Sequence, residues 1–147
     1  MTLEHYSMTI NAPFTSSCKR IKEPSFWLPF LPGFNQLTNI SKFIYLIDLY
    51  LSLGHVSRKV LLTFEFKPEK KMTHSSFTFS SSNKSVTGFG QLTISQKLKN
   101  TIQLEVSLDL QLHGKRNLLL TPLLPTVKEL WAESILDQVK YSLENEQ

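Results

Sequence analysis

Four histidines, a lone cysteine, a Gly-x-Gly and an acid inside an apolar run are the residues of this 147-residue chain that could do chemistry. His5, His55, His74 and His113 stand far apart and at no metal-ligand spacing, so each reads as a surface or strand-end residue. Cys18 is the only cysteine, which excludes an internal disulfide and suits a reducing cytoplasm. It falls on the apolar stripe Phe14, Cys18, Ile21, where a thiol packs as a small hydrophobe rather than acting as a nucleophile. Gly88-x-Gly90 enters a strand pattern, so it marks a bulge or a close backbone approach, not a phosphate cradle. Asp48 interrupts the apolar run Ile44 to Tyr50. Its parity with Leu46 and Tyr50 puts it on an outer face, where apolar neighbours would suit a partner; the competing reading is a buried acid. Glu65, between Phe64 and Phe66, points outward. No catalytic constellation, metal site or cofactor site emerges, and the balance leans away from an enzyme.

What the chain has in abundance is aromatic surface, including ten phenylalanines. Leu28-Pro29-Phe30-Leu31-Pro32-Gly33-Phe34 is a Pro-Gly turn crowded by rings, which fits the mouth of a hydrophobic cavity better than a charged cleft. Phe26, Trp27, Phe30 and Leu31 would come from that region. Tyr45, Phe64, Phe66, Phe77 and Phe79 would come from strands, with Leu92 and Val106 beside them and Trp131 on a helix opposite. These residues would line a cavity or fill a core. The two have the same composition, so residue type leaves both open. Tyr45 or Tyr6 would supply the polar group that orients a ligand.

The elements that must position these residues follow from periodicity. Leu3 to Ile10 alternates as a first strand, broken by Asn11-Ala12-Pro13. A short amphipathic helix follows and stops before Pro24, and Ser25 is expected to cap a second one. From Phe34 to Leu112 the pattern is β, with about six strands and turns at Gly54, Lys67 to Lys71, Ser81 to Ser85 and Lys99-Asn100. Ile102, Leu104, Val106, Leu108, Leu110 and Leu112 alternate with polar residues, as in an antiparallel strand buried on one face and wet on the other. After His113-Gly114 the pattern turns helical, starting at Thr121-Pro122 or at a Thr126-x-x-Glu129 capping box. Leu123, Leu124, Val127, Leu130, Trp131, Ile135 and Val139 form its apolar stripe. Glu144 and Glu146 oppose the helix dipole, so the last turn is expected to fray. A curved antiparallel sheet closed by the C-terminal helix, with two short helices after strand one, satisfies every apolar face in one α+β domain, residues 1–147.

Charge and hydropathy exclude some functions. The net charge is +4, but the bases are scattered over Lys19-Arg20, Arg58-Lys59, Lys67, Lys70-Lys71 and Lys115-Arg116, where a nucleic-acid binder would group them. Phe43 to Leu53, at about eleven residues, is too short to span a membrane. Glu4, His5 and Ser7 interrupt any apolar run near the N-terminus, so no secretion signal is expected there.

Four features resemble a known group. Ala12-Pro13 closes the first strand, and Leu31-Pro32-Gly33 follows the second helix. Gly54 sits in Leu53-Gly54-His55-Val56 between two long strands, and Gly88-Phe89-Gly90-Gln91-Leu92 opens a strand, with Gly114 before the last helix. In order and spacing they are similar to the SRPBCC (START-like, helix-grip) superfamily. Within it they are most like the CoxG family, which takes its name from carbon monoxide dehydrogenase, from about Leu3 to Leu143. The resemblance implies a helix-grip domain with a hydrophobic cavity for a lipid- or quinone-like molecule, without catalysis. It also implies a dehydrogenase or the inner membrane surface as partner, in a cytoplasmic protein. A polyketide cyclase or aromatase is the enzymatic alternative within the superfamily. Lys115-Arg116 and two prolines replace the family's Gly-rich junction, and the sequence stops at Gln147 where some relatives extend toward the membrane; both departures count against anchoring. Neither the residues nor the resemblance assigns an oligomeric state.

Overall fold

The computed structural model describes residues 4–146; Leu3, expected in the first strand, lies outside them. The chain begins with β1 (Glu4–Ile10). Two short helices follow, α1 (Phe14–Ile21) and α2 (Pro24–Trp27), and then a 3-10 turn at Leu28–Phe30. Six strands come next: β2 (Phe34–Ser41), β3 (Ile44–Leu53), β4 (Val56–Phe66), β5 (His74–Ser81), β6 (Val86–Leu98) and β7 (Thr101–Leu112). A short α3 (Lys115–Leu118) and a 3-10 turn at Thr121–Leu123 lead into α4 (Leu124–Glu144). The strands make one curved antiparallel sheet in the order β1-β7-β6-β5-β4-β3-β2, so β1 and β2 are its edges. Among the described residues no helix is long and apolar enough to cross a membrane.

Alternation sets which side chains face inward. Tyr45 pairs with Phe64, Ile47 with Leu62 and Leu49 with Val60, so one parity of β3 and β4 shares the concave face. α4 lies against that face through Val127, Trp131, Ile135 and Val139, all buried. Phe77 stands opposite Gly90 and Phe79 opposite Gly88. A Cβ on Gly88 would lie 2.3 Å from Phe79 Cζ and 2.4 Å from the Asp109 carbonyl oxygen. The Gly-x-Gly is therefore a close approach, in which the absent side chains leave room for two rings. Overpacking of this kind typically costs 1–3 kcal/mol. We expect Gly88→Ala to lose about 2–3 kcal/mol in urea unfolding, because the second clash is with backbone; an unchanged midpoint would show that the ring does not sit over the glycine.

Several local expectations are corrected. Glu23, not Ser25, occupies the N-cap of α2, because Pro24 at the first helical position already has its φ set and lacks the N–H a helix start leaves unpaired. Neither Thr121 nor Thr126 caps α4: it grows out of the preceding 3-10 turn with Leu123 at the N-cap, and the Thr121 hydroxyl donates back to the Asn117 carbonyl. Leu130 is more than half exposed, while Lys128 is buried with its Nζ 4.0 Å from Glu4 Oε1. The C-terminal turn of α4 is held: Glu144 accepts from Asn11 N and from Lys140 Nζ, each at 2.9 Å. The Asn11 N–H, and after it Lys140, hold the Glu144 carboxyl below the usual carboxylate range. The outer face of β7 is not wet throughout. Ser107 is buried and lies 2.8 Å from His5 Nδ1, and Asp109 is buried with no partner for Oδ2 among the described residues.

Candidate functional site

The aromatic residues singled out from the sequence meet as one ladder of rings across the concave face. Tyr45 contacts Phe66 edge-on at 5.7 Å between centroids. Trp27 meets Phe66 at 5.9 Å and Phe77 at 5.4 Å. Phe64 stacks on Phe79 at 4.9 Å, and Phe79 reaches Trp131 of α4 at 5.9 Å. Strand alternation delivers Tyr45, Phe64, Phe66, Phe77 and Phe79, while the short α2 carries Trp27 in from the side. Leu31, Leu92 and Val106 are buried in the same core. Phe26 and Phe30 are half-buried at its margin and pack edge-on against each other at 5.5 Å.

The ladder reaches the surface at one end of the sheet. A groove of about 350 Å³ is lined by Lys22, Glu23 and Pro24 of the α1–α2 junction, by Lys42 and Phe43 of the β2–β3 turn, and by Tyr45, Phe66, Lys67, Glu69 and Ser75. Its floor is apolar, from Tyr45 and Phe66. Its rim carries three lysines and two glutamates, one of the lysines, Lys22, donating through Nζ to the His74 carbonyl. Burial, and after it the negative charge of Glu23, push the Tyr45 phenol up, with Asn39 opposing. The hydroxyl is thus neutral at physiological pH and can both donate and accept. Behind the floor, the fully buried Trp27 has an indole N–H with no acceptor among the described residues. This is an apolar recess with a neutral phenol at its lip and a mixed-charge rim.

The Tyr45 groove is lined by neither Trp131 nor Phe30. The Leu31-Pro32-Gly33 turn is tied on two sides: the Gly33 carbonyl accepts from Tyr50 N at 2.9 Å, and the Ser134 hydroxyl of α4 donates to the Phe30 carbonyl. Asp48 pairs with Gln36 and Leu61 on the outer face. There it accepts from Asn35 Nδ2 at 3.1 Å and stands 3.5 Å from Lys59 Nζ. His74 pairs with Thr93 and also faces outward. No group of three or more metal-ligating side chains occurs among the described residues. Sequence reasoning counted Arg58 with the scattered surface bases. It pairs with Leu51, so it shares the inward parity of Val60, Leu62 and Phe64. Counting that alternation back past Val60 could have found it.

No protein-family model and no curated protein matches the chain. Solved structures do. A conserved protein from Geobacillus kaustophilus superposes with a TM-score of 0.82 at 16% identity, over 98% of this chain and 96% of that one. A START superfamily protein from Mycobacterium smegmatis matches with a TM-score of 0.71 at 9% identity, over 95% of this chain and 98% of that one. An aromatase/cyclase from a Streptomyces species matches with a TM-score of 0.69 at 10% identity, over 98% and 94%. At such identities the likeness establishes the fold: the chain has the helix-grip architecture of START superfamily proteins.

Proposed function

We propose that the protein binds a hydrophobic small molecule, lipid- or quinone-like, without transforming it. The observation that supports this reading is the groove that opens onto Tyr45 and Phe66, because those two rings belong to the buried aromatic ladder. A ligand entering there meets apolar surface at once, and each 100 Å² it buries contributes on the order of 2.5 kcal/mol. Advancing farther requires Phe66 to swing away from Trp27, which would bring the unpartnered indole N–H within reach of a ligand oxygen. Tyr45 orients the polar end. A CoxG-like role at a dehydrogenase, in the cytoplasm, belongs to the same proposal. It is favoured by the exposed Tyr50 and Leu61 on either side of Asp48, an outer apolar surface suited to a protein partner. A cyclase- or aromatase-like activity is the second reading, favoured by the likeness to the Streptomyces aromatase/cyclase. It would have to recruit Glu23 or Glu69 from the rim, since Asp48 and His74 face away.

Native mass spectrometry of freshly purified protein, followed by organic extraction, identifies a retained ligand. Titration with a short-chain ubiquinone and with a fatty acid, read by the fluorescence of Trp27 in a Trp131→Phe background, gives affinities. We expect saturable quenching, weakened about 3- to 10-fold in Tyr45→Phe by the loss of one neutral hydrogen bond. Clean apo protein, with no saturable response up to the solubility limit of either probe, would sink the binding reading and leave the partner surface ahead.

A further inference from the structure

At the opposite end of β4 from the Tyr45 groove lies a second, chemically different depression. It has a volume of about 270 Å³ and is lined by Arg58, Lys59, Val60 and Leu61 of β4 and by Ser81, Ser82, Asn83, Ser85 and Val86 of the β5–β6 turn. Arg58 is half-buried on the inward face of its strand. Its Nη2 donates to Asn117 Oδ1 at 2.9 Å, and no described carboxylate lies within salt-bridge distance of it. Its Nε is buried and has no partner among the described residues. Asn117 is itself buried and fixed by its Nδ2, which donates to the His113 carbonyl at 2.7 Å. The guanidinium is therefore held in place by a neutral amide while its charge goes uncompensated.

The turn beside it supplies more donors. Asn83 Oδ1 accepts three bonds from within the turn: Ser81 Oγ at 2.9 Å, Ser85 N at 3.0 Å and Ser85 Oγ at 2.7 Å. With its oxygen used internally, the Asn83 amide turns its NH2 away from those contacts. Ser82 contributes a hydroxyl, while the Lys59 ammonium lies on the other face of the sheet, 3.5 Å from Asp48. A planar guanidinium fork, an amide and a hydroxyl around one small depression offer more donors than a two-oxygen carboxylate can use. They suit a tetrahedral oxyanion.

We propose that this depression binds a phosphate group, with Arg58 as its principal ligand and Asn83 and Ser82 completing the donor set. The site is independent of the apolar groove. The phosphate belongs either to a small soluble molecule or to a lipid headgroup, and the chemistry of recognition is the same.

The test is a 1H–15N NMR titration of the full chain with inorganic phosphate and with glycerol phosphate, at constant ionic strength against chloride. Saturable shifts are expected at the Arg58 Nε–H and the Asn83 side-chain amide. Arg58→Gln should weaken the affinity by about tenfold or more, as loss of a charge-assisted pair does. Co-sedimentation with phosphatidic acid in phosphatidylcholine vesicles, compared with phosphatidylcholine alone, separates the sources. Saturation without vesicle binding assigns a soluble phosphate, and vesicle binding lost in Arg58→Gln assigns a headgroup. Should Arg58→Gln fail to fold, Arg58→Lys keeps the charge but not the fork, and the wild-type Arg58 resonance reports binding directly. Absence of saturable shifts together with absence of Arg58-dependent vesicle binding overturns the proposal, as does an unchanged phosphate affinity in the Arg58 variants.

Discussion

Gly33→Ala is expected to lower stability by about 3–4 kcal/mol, near the top of the range for single substitutions. Two effects add. Gly33 has φ of +74°, a left-handed conformation that costs an L side chain roughly 1–2 kcal/mol. A Cβ there would also lie 2.2 Å from the Tyr50 carbonyl oxygen, an atom of the central part of β3. Neither side can retreat. The Gly33 carbonyl accepts from Tyr50 N, Phe34 N donates to the Leu31 carbonyl at 3.2 Å, and Phe34 is already paired with Leu49. For a chain of this length the loss corresponds to a fall of about 10 °C in thermal midpoint. Gly33→Asn separates the causes: Asn tolerates the left-handed region but brings the same Cβ, so it should be almost as harmful. A midpoint within about 2 °C of wild type for either variant would mean that the turn relaxes freely, and the account of it as a fixed strap between β3 and α4 would be wrong.

Trp27 carries the second large effect. Trp27→Ala is expected to cost about 3–5 kcal/mol, the usual range for emptying a buried aromatic site, because its ring stands between Phe66 and Phe77 with no solvent contact. Trp27→Phe should behave differently. It keeps most of the packing and removes the indole N–H that has no acceptor among the described residues. A buried donor left unpaired carries a penalty of roughly 1–3 kcal/mol. Its removal offsets most of the lost volume, so the net change should be about 1 kcal/mol or less. Chemical denaturation of both variants checks this. A Phe variant nearly as damaged as the Ala variant would show that the indole N–H is paired after all.

Strand parity was the most readable signal. Ile102 to Leu112 on β7 and Val60 to Phe66 on β4 keep the alternation that the residues announce, because a one-residue slip would turn a whole apolar face to water. The ring ladder is legible for the same reason, since Tyr45, Phe64, Phe66, Phe77 and Phe79 inherit the inward parity of their strands. Less readable were positions where a neighbouring element changes what parity means. Ser107 and Asp109 look like wet-face residues yet are buried, and Leu130 looks like core yet is exposed. Helix boundaries failed where turns do the capping: the sequence offers two threonines, but α4 starts from a 3-10 turn that needs neither. The frayed C-terminus expected of α4 is instead anchored by Asn11, which lies 133 positions away in the chain.

By itself the amino-acid sequence determined the α+β class, the succession of strands between two short helices and one long one, and the aromatic inward face. Those properties depend on local periodicity and on turn residues, which neighbours in sequence carry. Only the tertiary structure decided where space is left and which charges lack a partner. It closed the concave face with rings at Phe64, Phe79 and Trp131, left the Tyr45 groove at one end, and set Arg58 beside Asn117 at the other. Voids and uncompensated charges arise from how distant segments fit against one another, and that fit is set by all the contacts together rather than by any one stretch of chain.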